Sequence, residues 1–144
     1  MRIAIASDHG GYDLKGTLIP LLKEEGYDVV DLGTDNTESV DYPVYGQKCA
    51  AYVVGGEADR GVVICGTGIG ISIAANKVHG ARCAVVTSDT MAELASDHNN
   101  ANLIALGGRT TSVEEAIRWI KIWLATPFSG GERHARRVAL LDEM

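Results

Sequence analysis

The sequence predicts an α/β protein: a three-layer αβα sandwich, Rossmann-like, built on a five-stranded parallel sheet. Three observations carry that expectation. Five short apolar runs recur along the chain, separated by helical patterns or turn-rich segments. The runs Arg2–Ser7 and Arg60–Cys65 are apolar without strict alternation, as in strands covered on both faces. Glycine and small polar residues gather where the runs end. Strands alternating with helices imply βαβ units, a parallel sheet and right-handed crossovers.

Each element follows from local signals. Arg2–Ser7 is the first strand and passes into Asp8-His9-Gly10-Gly11. Tyr12–Glu25 sets Leu14, Leu18 and Leu21 or Leu22 on one helical stripe. Pro20 lacks the amide that would bond Gly16, so a bend is expected there, and Gly26 fits the stop. Tyr27–Leu32 reads as the second strand and Gly33–Asp41 as a polar loop. Tyr42-Pro43 opens a helix that Gly55-Gly56 ends. Arg60–Cys65 is the third strand; a helix begins by Ile71 and is expected to end near Val78-His79-Gly80.

Arg82–Thr87 is the fourth strand, and Ser88 or Asp89 can cap a helix over Met91 to about Asp97. His98-Asn99-Asn100-Ala101-Asn102 breaks it with polar residues. Leu103–Leu106 is the fifth strand, closed by Gly107-Gly108-Arg109. Ser112-Val113-Glu114-Glu115 has the form of a capping box. The helix behind it carries Val113, Ile117, Ile120 and Leu124 at spacings of four, three and four. Pro127 and Gly130-Gly131 end that helix, and Glu132–Met144 reads as a short last one. No repeat, low-complexity tract or linker divides the chain, so residues 1–144 are expected to form one domain.

Composition limits the function classes. A chain of 144 residues can bury roughly two-thirds of its unfolded surface. The net charge of −6 disfavours nucleic acid as the main partner. There is no apolar run of about 18 residues and no basic-then-apolar leader, so neither a membrane partner nor a signal peptide is expected. Cys49, Cys65 and Cys83 are far apart and form no Cys-x-x-Cys pair. Neither a disulfide framework nor a zinc site is suggested, and a reduced cytoplasmic setting is the simple reading.

The chemistry centres on Cys65-Gly66-Thr67-Gly68-Ile69-Gly70. A strand, a glycine-rich turn and a helix N-terminus in succession point several backbone amides at one concavity. Such a nest binds an anion or a developing oxyanion, and the helix dipole would favour a thiolate at its entrance. The alternative is that Cys65 packs the core and the glycines only permit a tight turn. Strand C-terminal ends in such a sheet share one edge, where ligands bind. Asp8-His9, Cys65, Ser88-Asp89 and Gly107-Gly108-Arg109 are therefore expected on one rim. Singly, Asp8 or Ser88 could be a helix cap, His98 a solvated helix end and Arg109 a surface charge.

Several familiar sites do not fit. A dinucleotide-binding Gly-x-Gly-x-x-Gly would need glycine where Ile71 stands, and no Gly-Lys-Ser/Thr completes a P-loop. Ile71 also occupies the place of the arginine in a cysteine-phosphatase loop. His9, His79, His98 and His134 lack paired metal-ligand spacing, so no metal and no cofactor is expected. Arg133 and Arg137 lie four apart on one helix face with Arg136 beside them, a pattern that suits phosphate or a solvated basic face.

Taken together, Ser7-Asp8-His9-Gly10-Gly11, Ser39-Val40-Asp41-Tyr42-Pro43, Cys65–Gly70, Ala74-Ala75-Asn76-Lys77, His98–Asn102 and Arg133-His134 resemble the type B ribose-5-phosphate isomerases, from Arg2 to about Val138. That family also holds allose-6-phosphate isomerases and galactose-6-phosphate isomerase subunits. The resemblance implies interconversion of D-ribose 5-phosphate and D-ribulose 5-phosphate, a step of the pentose phosphate pathway, through ring opening and an enediolate. It implies Cys65 as the base between C1 and C2, and amides of Gly66, Thr67, Gly68, Ile69 and Gly70 on the enediolate oxygens. It implies His98 as the acid/base of ring opening, assisted by Asp8 and Thr67, and Asn99 on the sugar. His9, Arg109, Arg133 and Arg137 would hold the phosphate. It further implies a homodimer or homotetramer in which His98, Asn99 and Arg109 reach into the partner's site. Glu132 stands between Gly131 and Arg133, where many relatives read Gly-Gly-Arg-His. The choice among Arg133, Arg136 and Arg137 as phosphate ligands stays open. A six-carbon sugar phosphate such as allose 6-phosphate is the nearest alternative substrate, and a non-catalytic phosphate- or nucleotide-binding module the alternative of another class.

Overall fold

A computed structural model describes residues 1–144. Five parallel strands, β1 (Arg2–Ser7), β2 (Asp28–Asp31), β3 (Arg60–Cys65), β4 (Cys83–Val85) and β5 (Leu103–Gly107), form one sheet in the order β2-β1-β3-β5-β4. Six α-helices connect and cover them: α1 (Tyr12–Glu24), α2 (Tyr42–Val54), α3 (Ile69–Asn76), α4 (Asp89–Asp97), α5 (Val113–Ala125) and α6 (Glu132–Asp142). The αβα sandwich expected from the sequence is the architecture observed.

Strand residues alternate between two cores, because successive side chains leave opposite faces of a strand. Ile3, Ile5, Val62, Ile64, Ile104 and Leu106 pack against Leu18 and Leu22 of α1, Ala92 of α4 and Trp119, Ile120 and Trp123 of α5. Ala4, Ala6, Val63, Cys65, Leu103 and Ala105 pack against Cys49, Ala50 and Val53 of α2 and Ile71 and Ala75 of α3. The small residues on the second face let α2 and α3 lie close to the sheet. In contrast, α6 sends only Val138 into the interior. Its far end is tied by Arg82 to Asp142 at 2.7 Å.

Several boundaries differ from the sequence expectation. The second strand is Asp28–Asp31 and the fourth Cys83–Val85, both shorter than expected. Both are edge strands, which find ladder partners on one side only. α3 stops at Asn76. There the Asn76 side chain exchanges hydrogen bonds with the Cys83 backbone at 2.8 and 2.9 Å, which turns the chain into β4. Pro20 stands inside α1 at an exposed position, so the Gly16 carbonyl it leaves without an amide also lies on the solvent side. The capping box at Ser112 and Glu115 is present, and Ser88 caps α4 through the Met91 amide at 3.1 Å.

One buried charge braces the segment next to the site. Lys15, 1% exposed, reaches Asp31 at 2.7 Å. The same Asp31 oxygen accepts the Gly33 amide at 2.9 Å, and Gly33 and Thr34 bond the backbone of Ser7. Removing one partner of a buried pair strands the other charge, whereas an apolar residue of similar volume removes the charge itself. Asp31→Ala is expected to lower unfolding free energy by about 2–3 kcal/mol, and Lys15→Met by less than ~1 kcal/mol. Urea unfolding of both variants checks the difference.

Candidate active site

The order β1-β3-β5 brings the C-terminal ends of those three strands together. Asp8 follows β1. Its amide bonds the Ile64 carbonyl of β3 at 3.1 Å. Its carboxylate accepts the amides of Gly10 and Gly11 at 2.9 and 3.2 Å, which shapes a single 3-10 turn over His9–Gly11. His9 is oriented from outside that turn, because the Val40 amide donates to its Nδ1 at 3.1 Å. With Nδ1 accepting, the neutral ring carries its proton on Nε2 and can donate it to an anion.

Cys65 ends β3 and is 5% exposed. Its carbonyl accepts the Gly108 amide at 2.7 Å, and the Gly66 carbonyl accepts that of Arg109 at 3.0 Å. The loops after β3 and β5 are thus laced together. The amides of Gly66, Thr67 and Gly68 donate to no group of the protein. The Ile69 amide finds only the Thr67 hydroxyl, at 3.3 Å. Gly68 has a φ of +81°, and a Cβ there would sit 2.9 Å from the Leu106 backbone. Only glycine makes this turn, which ends with α3 pointing its first-turn amides at the same space. The geometry supports the nest reading. It also supports the packing reading, since Cys65 belongs to the α2–α3 core and is both a core residue and the lip of the nest.

Burial pushes the Cys49 thiol up to about 12 and raises Cys83 as well, so neither supplies a thiolate at neutral pH. Of the three thiols, only that of Cys65 adjoins free amides.

Tyr42, at the start of α2, forms a wall of the nest: its ring lies 2.6 Å from where a Cβ on Gly70 would be. The sequence offered Tyr42 as a helix start and as part of a family motif but not as a neighbour of Gly70, because that contact comes from the packing of α2 against α3. Arg109 lies over the loop of its own chain, its guanidinium 3.0 Å from where a Cβ on Gly66 would be. This corrects the expectation that Arg109 reaches a partner's site. β5 adjoins β3 directly, so the residue after β5 lands on the Cys65 loop of the same chain. Ser88 and Asp89 are absent from this cluster. Ser88 is a helix cap, and Asp89 binds Arg118 and the Trp119 indole at 2.9 and 2.8 Å. The β4 end they follow lies at the sheet edge, beyond β5.

The remaining candidates lie at the opposite end of the sheet. α4 runs away from the rim, and His98 ends it by donating its amide to the Leu94 carbonyl at 2.9 Å. The chain then enters β5 at Leu103, which pairs with Gly61, while Gly107 pairs with Cys65. From Gly61 to Cys65 is about four steps of roughly 3.3 Å, or about 13 Å of strand. One rim therefore holds Asp8, His9, Cys65, Thr67 and Arg109, and the other His98, Asn99, Arg133 and Arg137. His98 lies away from the Cys65 rim of its own chain, because a helix that returns the chain to the next parallel strand ends at that strand's start. A cavity of about 660 Å³ is also at the His98 end, lined in part by Lys77, His79, Arg82 and Asn99.

At that end the imidazoles of His98 and His134 stack, with centroids 4.2 Å apart and planes inclined by 17°. Partial burial lowers the pKa of His134, and His98, Arg133 and Arg137 lower it further against an opposing pull from Asp97. Arg133 and Arg137 flank this stack, one turn apart on α6.

The fold recurs in known proteins. The family model described as Ribose/Galactose Isomerase matches residues 3–141. The chain belongs to the ribose/galactose isomerase family. Its match spans both rims, from Asp8 to Arg137. Among relatives within this family, the ribose-5-phosphate isomerase B of Escherichia coli is 44% identical over 137 residues, 95% of this chain and 91% of that one. The solved structure of Clostridium thermocellum ribose-5-phosphate isomerase B is 53% identical with a TM-score of 0.97, covering 99% of this chain and 96% of that one. The Mycoplasma genitalium ribose-5-phosphate isomerase B, solved with ribulose-5-phosphate bound, is 40% identical with a TM-score of 0.93, covering 99% and 94%.

Proposed function

We propose that this chain interconverts D-ribose 5-phosphate and D-ribulose 5-phosphate, with Cys65 as the base. The observation that carries the reading is Cys65 at the lip of a loop whose Gly66, Thr67 and Gly68 amides have no protein partner, in a chain of the ribose/galactose isomerase family. The Cys65 thiolate takes the proton from C2 of the open aldose and returns it to C1. The electron pair left at C2 forms the enediol double bond, and charge collects on the former carbonyl oxygen, where the loop amides bond it. Preorganised donors of this kind are worth about 3 kcal/mol each in other enzymes. The aldehyde carbon is reduced as the hydroxyl-bearing carbon is oxidised, so the step needs no external electron acceptor.

Ring opening precedes this step and needs a proton moved from O1 to the ring oxygen. His98 performs it, with Asp8 and Thr67 assisting and Asn99 on the sugar. His9 and Arg109 hold the phosphate from the Cys65 side, and Arg133 and Arg137 from the other. Because His98, Asn99, Arg133 and Arg137 lie at the far end of their own chain, they serve the Cys65 loop of a second copy, and the working unit is a homodimer or a pair of such dimers.

Turnover of ribose 5-phosphate and allose 6-phosphate by the pure protein in excess EDTA tests the reading. The expected result is ribulose 5-phosphate formation unaffected by EDTA and slower turnover of the six-carbon sugar. Turnover of neither would overturn the assignment.

A further inference from the structure

We propose that His134 is a positioning residue that fixes the imidazole plane of His98 for ring opening. The inference rests on the proposed role of His98 in the isomerase reaction. His98 ends α4, and its ring is held by little else: 39% of its side chain is exposed, and its Nε2 approaches Asp97 only to 3.7 Å. The second ring belongs to another element. His134 sits half-buried in the first turn of α6, four residues before the buried Val138 and on the same helix face. The two elements are also tied together directly. The Asp97 carbonyl accepts the amide and the hydroxyl of Ser129, just before α6, at 3.1 and 2.9 Å.

The near-parallel stack therefore joins a ring at a helix end to a ring on a braced helix. Stacking fixes the ring plane while leaving both nitrogens at the ring edge free for proton transfer. The groups facing the pair are Asp97 beside His98, and Arg133 and Arg137 beside His134.

Ring opening can be separated from the proton transfer that follows it. Ribulose 5-phosphate cannot close a furanose ring, because O5 is esterified, so it enters the site already open. Exchange of its C1 hydrogen with solvent deuterium thus reports Cys65 and the amide loop without ring opening. In His134→Ala, kcat for ribose 5-phosphate is expected to fall about tenfold, part of the contribution of a positioned acid/base. Deuterium wash-in at C1 of ribulose 5-phosphate should stay within about twofold of wild type. His134→Phe, which keeps a flat ring, should restore isomerisation, and His134→Leu, which fills the space without one, should not.

An equal fall of isomerisation and exchange in His134→Ala or His134→Leu would overturn the inference while leaving the reaction intact. So would an unchanged kcat, or a His134→Phe variant as slow as His134→Leu. Wild-type protein that neither isomerises nor exchanges would overturn the proposed function itself. His134→Phe and His134→Leu both leave the space of the ring filled, so their contrast decides the matter even where His134→Ala unfolds.

Discussion

Cys65→Ala is expected to lose ribose 5-phosphate turnover by about 10³-fold or more, as removal of a positioned acid/base does. Affinity for the sugar phosphate should change little. Alanine removes only Sγ, and Ala4, Ala6 and Ala105 show that alanine suits this face of the sheet. The loop amides do not depend on the side chain. Gly66 and Gly108 are placed by backbone bonds, and Gly68 by its own φ. The variant should therefore fold, bind and fail at the chemical step. Cys65→Ser should fail similarly, because its hydroxyl fits the same place but holds its proton far more tightly. Isothermal titration with ribose 5-phosphate, deuterium exchange at C1 of ribulose 5-phosphate and a urea midpoint together separate loss of chemistry from loss of fold. Exchange persisting at the wild-type rate in Cys65→Ala would assign the base to another group.

A larger gain is expected from mixing two inactive proteins. Cys65→Ala and His98→Ala each spoil every site of their own homodimer. After subunits exchange at random, about half the dimers are mixed, and each mixed dimer holds one site with both residues intact, so about a quarter of wild-type activity should return. The physical reason is the separation of about 13 Å along β3 between the two rims of one chain. Arg109 makes the experiment selective. Its guanidinium lies against its own chain's Gly66, so Cys65→Ala and Arg109→Ala damage different sites of a mixed dimer and leave none whole. That pair should show no recovery. Native mass spectrometry confirms the exchange. Recovery by the arginine pair would place Arg109 in the partner's site, and exchange without recovery by the histidine pair would show that one chain builds the whole site.

The sequence by itself determined the kinds of element and much of their extent. The buried run Arg60–Cys65, the Ser112–Glu115 capping box, the Tyr42-Pro43 helix start and the Gly55-Gly56 stop all act within a few residues, through periodicity, caps and backbone freedom. The glycine loop was legible for the same reason: three alternate glycines between a strand and a helix leave few conformations other than a nest. The resemblance of spaced motifs then pointed to the chemistry. Tertiary structure alone decided which of these meet. Inserting β5 between β3 and β4 moved Ser88 and Asp89 to the sheet edge, set Arg109 on its own chain's loop and left His98 at the far end. Packing of α2 on α3 brought Tyr42 to Gly70, and the approach of α6 to the end of α4 laid His134 on His98, although 36 positions separate the two histidines. Strand order depends on which strands can be covered on both faces and paired on both sides. The three-residue β4 and four-residue β2 gain least from that and take the edges. That balance is struck over the whole sheet, so no local stretch of residues carries it.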